Sequence, residues 1–146
     1  MASTAQLETL IDLARRESDA IAKRLGVALK ALEDARAKAD MLVGYRDDYA
    51  RRFQANMAAG MTPMAYRNFQ AFLDKLDQAI NGQQELVQHG LRRSEHEKTV
   101  WQASERKRMS YATLADRARD QALQLEAKRD QKAMDEHAAR QAYYKR

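Results

Sequence analysis

His89, His96 and His137 are the side chains in this 146-residue chain best suited to metal or acid–base chemistry. His89 and His96 are seven residues apart, two helical turns or about 10 Å, too far to share one ion without a third ligand between them. In "SEHE" (94–97) two glutamates flank His96, but adjacent residues on a helix point apart. The chain has no cysteine, which excludes disulfides and zinc–thiolate sites. A glycine-rich phosphate loop, a nucleophile elbow and a pair of buried carboxylates are all missing from the sequence. The chain therefore reads as a non-enzyme, with no catalytic residue, metal or cofactor.

The elements that carry these residues explain why. Charged residues make up 32% and aromatics 7% of the chain, the profile of long helices or a coiled coil rather than a thick globular core. The net charge is +5, from 26 basic and 21 acidic residues. The two signs interleave, without a block of five or six like charges, so the charge reads as a solvated helix surface and not as a nucleic-acid footprint. The first residues show no basic segment leading into an apolar one, and apolar runs fall far short of the roughly 20 residues of a membrane helix. The expectation is a soluble, cytoplasmic protein with no direct membrane insertion, monomeric when free.

From Leu7 the apolar residues alternate in steps of four and three, through Ile11, Ala14, Ile21, Leu25, Ala28, Leu32, Ala35, Ala39, Leu42, Tyr49 and Phe53. Ser18 and Arg46 fall in the same frame without being apolar. A seven-residue repeat held this long predicts a left-handed supercoil. Ser3 followed by Gln6 makes a capping box, so the first helix is expected over about 4–58, roughly 80 Å long. A second frame runs through Tyr66, Phe69, Leu73, Leu76, Ile80, Gln83 and Val87. It thins where Ser94, Glu97, Ser104 and Arg108 occupy it around Trp101, then resumes through Tyr111, Ala115, Ala118, Ala122 and Leu125. One helix over about 63–142 is expected, with Gly82 and Gly90 as sites for a bend, each costing roughly 1 kcal/mol relative to alanine.

Between the helices stands "GMTP" (60–63), holding the only proline in the chain. Gly60 suits the left-handed position after a helix, Thr62 suits a cap, and Pro63 suits the first helical position, which needs no N–H. The sequence thus predicts an all-α fold: a single antiparallel coiled-coil hairpin over 1–146, turning at about 59–62. A turn centred near residue 61 sets Phe53 opposite Phe69, Leu42 opposite Ile80 and Leu7 near Ala115. The second helix should then outrun the first by about 40 Å, with Arg129, Lys132 and Glu136 at former seam positions. Glu126–Arg129 and Glu136–Arg140 are spaced for ion pairs along this overhang. Near the turn, Phe72, Ala79 and Leu86 form a second apolar row, and Tyr45 lies outside the first helix's frame, beside Leu42 and Tyr49. Leu42, Tyr49 and Leu76 suit a thickened seam and a partner surface equally, whereas Phe72 and Tyr45 suit a partner surface.

The stretches "LETLIDLARRE" (7–17), "LVGYRDDY" (42–49), "YRNFQAFLDKLDQAI" (66–80) and "RDQKAMDEHAAR" (129–140), with Trp101, occur in an order and spacing that resemble the FliJ family. That family is the coiled-coil component of the bacterial flagellar type III export apparatus. The resemblance implies an antiparallel two-helix stalk that binds the export ATPase hexamer, promotes its assembly and links it to the cytoplasmic domain of the export-gate membrane protein. It also implies binding and recycling of escort chaperones for late export substrates, at the cytoplasmic face of the inner membrane. Carried onto this chain, it assigns gate binding to Leu42, Tyr45, Tyr49, Phe72, Leu76 and Ala79, and ATPase binding to Arg129, Gln131, Lys132, Asp135, Glu136 and Arg140. Pro63 and Gln83 are not family hallmarks, so the turn-end patch is expected to stop near Ala79. The alternatives are the equivalent stalk of a virulence type III secretion system, against which the C-terminal motif argues, and a nucleic-acid-binding hairpin.

Overall fold

A computed structural model describes residues 4–145; Ser3, and with it the proposed capping box, lies outside them. Helix α1 spans Thr4–Ala59, 56 residues, and α2 spans Pro63–Tyr144, 82 residues. No strand occurs among the described residues. The protein is an antiparallel coiled-coil hairpin of two helices, the second longer than the first.

The turn is built as its residues dictate. Gly60 sits at φ 100°, where any side chain would strain the backbone, and its N–H donates to the Met57 carbonyl at 3.2 Å. The Thr62 hydroxyl accepts the Ala65 N–H at 3.2 Å, and Tyr66 N–H closes the first turn of α2 on the Thr62 carbonyl. The Ala65 N–H, which would otherwise be orphaned at the start of α2, is thereby satisfied.

The chain divides into two compact units. The unit over 20–102 contains the turn. Its buried apolar residues are Ile21, Ala28, Leu32 and Ile80, all on the seven-residue frame. Burying an isoleucine or leucine contributes about 1.5–3 kcal/mol and an alanine much less, so a few large side chains hold the seam. Close to the turn, rings replace aliphatics: Phe53 meets Tyr66 at 5.4 Å and Phe69 at 5.6 Å, and Tyr49 meets Phe69 at 4.9 Å. The contact of Phe53 with Phe69 sets the register that the turn position implied. The same register recurs in Arg46–Asp77 at 2.5 Å and Arg24–Glu97 at 3.3 Å.

Two seam positions in this unit are not large apolar residues. Gln83 is only 6% exposed, and its side-chain amide donates to the Ala35 carbonyl at 3.0 Å. A buried amide is tolerated because this bond offsets its desolvation, so Gln83 belongs to the seam. At Gly90 an added Cβ would stand 3.5 Å from the Leu32 Cα and Cδ1. α2 runs unbroken through both Gly82 and Gly90. Gly90 marks a close approach of the two backbones.

The other unit joins α1 up to Asp19 with α2 from Ala103. Leu7 and Ala14 are buried, and so are Ser18 and Ser104. Ser18, 1% exposed, donates its hydroxyl hydrogen bond to Glu105 Oε1 at 2.5 Å. Arg108 reaches the same carboxylate at 3.4 Å, and Lys107 reaches Glu17 at 3.6 Å. Where the apolar frame thins, polar side chains satisfy one another across the seam instead of ending it. From Arg119 to Lys145 every residue is exposed.

Candidate protein-binding surfaces

The turn-end residues singled out from the sequence divide by depth. Leu42, Tyr49 and Leu76 are half-buried between the helices, where they thicken the seam. Tyr45 is 56% exposed, Phe72 45%, and Ala79 is exposed beside them. The Phe72 ring nevertheless packs on Tyr49 at 4.5 Å. It presents one face to the seam and one to solvent, so it is an anchored aromatic. Leu86, also in this row, is 56% exposed.

Arg46 takes a seam position between Leu42 and Tyr49, and its guanidinium turns to Asp77 on α2. The pair is about half exposed on both sides, where an ion pair contributes at most about 1 kcal/mol. It lets a charged residue interrupt the apolar frame without leaving a charge unpaired.

The second set lies on the overhang of α2. Arg129, Gln131, Lys132, Asp135, Glu136 and Arg140 are all exposed. The Gln131 amide donates to Asp135 Oδ1 at 3.1 Å, one turn along the helix. Among the described residues neither Glu126–Arg129 nor Glu136–Arg140 closes as an ion pair; the last one along α2 is Arg119–Asp116, at 3.9 Å. Solvated pairs of this spacing contribute only a few tenths of a kcal/mol, about what ordering their side chains costs. Apart from Asp135, which accepts from Gln131, the charged groups named here are solvated. Leu123, Leu125, Met134, Tyr143 and Tyr144 are exposed there as well.

A family model described as "Flagellar FliJ protein" matches residues 3–146. The chain belongs to the FliJ family. A flagellar FliJ protein of Escherichia coli K12 is 30% identical over 145 residues, covering 99% of each chain. One from Salmonella typhi is 32% identical over 151 residues, again covering 99% of each. The match is end to end, so both the turn-end patch and the overhang lie within the FliJ-like length.

His89, His96 and His137 are exposed, and no cluster of three or more His, Asp or Glu residues able to hold a metal occurs among the described residues. Among the described residues no helix is long and apolar enough to cross a membrane. Sequence reasoning placed Ser18, Gln83, Ser94 and Ser104 on the frame but did not show that they are buried.

Proposed function

We propose that this chain is the coiled-coil stalk of the flagellar protein export apparatus. In this reading the α2 overhang enters the ring of the export ATPase, and the turn-end patch binds the cytoplasmic domain of the export gate. The observation that carries it is the fully exposed stretch Arg119–Lys145. About 40 Å of helix has no seam beside it, and helices of this kind owe their order to packing rather than to propensity. A ring supplies what the chain itself does not. Loops from several subunits pair with Arg129, Lys132, Asp135, Glu136 and Arg140, bridge subunits, and so promote hexamer assembly and ATP turnover. The exposed and anchored aromatics Tyr45 and Phe72, with Ala79, supply the gate contact. Escort chaperones of late substrates are handed over from the same stalk. The protein works from the cytoplasmic side, peripheral to the inner membrane at the flagellar base, and is monomeric before it meets the ring.

The test is a pull-down of the export ATPase, with ATP turnover, by the full chain and by a chain ending at Ala118. Loss of both binding and stimulation on truncation is the expected result. Undiminished stimulation by the shortened chain would mean that the ring contact lies elsewhere.

A further inference from the structure

The two flanks of the seam within residues 20–102 differ in charge. One groove between the helices is lined by Arg36, Asp40, Asn81, Gln84 and Gln88. The seven-residue rows on that side carry Glu33, Asp40, Asp47, Asp74, Asp77 and Glu95 against Arg36, Arg67 and Lys98, and Glu85 and Arg92 add one charge of each sign to the groove. The opposite flank holds the rows Arg24–Ala31–Lys38–Tyr45 on α1 and Phe72–Ala79–Leu86–Arg93 on α2. Neither row contains an acid, and Lys75 and His89 stand behind the second. The acids next nearest on α1, Asp34 and Asp48, are already engaged by Lys30 and Arg51. Glu97 is engaged by Arg24 at 3.3 Å.

We infer that this flank seats an amphipathic helix of the partner whose apolar stripe is edged by carboxylates, completing a three-helix coil. The inference rests on reading Tyr45, Phe72 and Ala79 as the gate-binding patch, and gives that partner's segment a chemistry. Three features favour a helix over a flat surface. Both rows repeat every seven residues, so their ridges stay in step with a third helix of the same period. Small residues, Ala31, Ala79 and Gly82, lie between the large ones, and an added Cβ at Gly82 meets nothing within 4 Å, which leaves a trough for a helix to approach. Lys38, Lys75 and Arg93 edge the trough, where they complement carboxylates at the rim of an incoming helix and set its register.

The experiment uses the full chain and two synthetic peptides of about three heptads, each with leucine at the core positions. One peptide carries glutamate at the flanking positions, the other lysine. The glutamate peptide is expected to bind and the lysine peptide not to. Lys38→Glu with Arg93→Glu should weaken binding of both the glutamate peptide and the gate's cytoplasmic domain by about tenfold or more, about 1.4 kcal/mol. Arg36→Glu with Lys98→Glu makes the same charge change on the other flank and should leave both within about twofold. Equal effects of the two double variants, or equal binding of the two peptides, would overturn the inference. So would binding to phosphatidylglycerol vesicles that depends on Lys38 and Arg93 when the glutamate peptide fails to bind; that result assigns the flank to a lipid surface. Phe72→Ala separates the two readings. If it abolishes gate binding while the Lys38/Arg93 variant binds normally, the patch stands and the acidic helix falls. If gate binding survives Phe72→Ala, the gate is not this flank's partner, and the peptides alone decide what the flank seats.

Discussion

Ser18 shows how a polar residue earns a place in a seam. Its hydroxyl, with Arg108 beside it, holds the Glu105 carboxyl below its usual value of 4.5 despite partial desolvation. A carboxylate whose folded pKa is depressed contributes stability at pH values above the ordinary one, and that contribution is lost as pH falls through the folded pKa. Ser18→Ala should therefore lower the melting temperature at neutral pH. The gap from the parent should close as the pH falls below the ordinary carboxylate range. Thermal melts followed by circular dichroism over that range check this, and a gap independent of pH would remove Glu105 from the account. Lys30 has the opposite sense: its hydrogen bond with Asp34 raises its pKa above 10.5, so its contribution is present at neutral pH and fades only in strong alkali. Gln83 tests the seam from the other side. Gln83→Ala removes the donor to the Ala35 carbonyl and leaves a gap, at an expected cost of about 1–3 kcal/mol in chemical unfolding. A partner-surface residue would show almost no cost.

At the scale of the helices, stability comes from few large side chains. Leu32→Ala should cost about 2–5 kcal/mol, because Leu32 is buried against the close approach of Gly90. Phe72→Ala should cost far less, about 0.5–1.5 kcal/mol, the contribution of its ring pair with Tyr49. Gly82→Ala should stabilise by about 1 kcal/mol, since the new methyl group meets open space in the middle of a helix. The overhang behaves differently, because nothing packs on it. Amides beyond Arg119 should exchange with solvent far faster than those of the seam when the chain is free. Protection gained there on adding the export ATPase is the expected sign of the ring contact. Equal protection in the free chain would show that the overhang is ordered without help.

For the whole molecule, the proposed function requires two surfaces that operate independently. Lys132→Glu with Arg140→Glu should abolish stimulation of the export ATPase while leaving gate binding intact. Phe72→Ala should do the reverse. Far-UV circular dichroism should show both variants as helical as the parent, since all three residues are exposed or half-exposed. If either change removes both activities without loss of helix, the ring and the gate share one surface.

Much of this protein was legible in its sequence because a coiled coil is a one-dimensional code. The seven-residue repeat from Leu7 to Phe53 determined the helices and the faces they bury. Gly60, Thr62 and Pro63 determined the turn through backbone conformation and a missing N–H, and the turn determined the register. The overhang follows from counting residues on either side of it. Tertiary structure decided what the frame positions do when they are not apolar. Spacing cannot tell whether a serine or glutamine on the frame ends the seam or enters it, because the answer depends on a partner far away in sequence. Ser18 required Glu105, Gln83 required the Ala35 carbonyl, and Gly90 required the backbone at Leu32. Tertiary structure also decided that Phe72 is anchored by Tyr49. Burial is a property of two helices together, whereas periodicity is a property of each one alone.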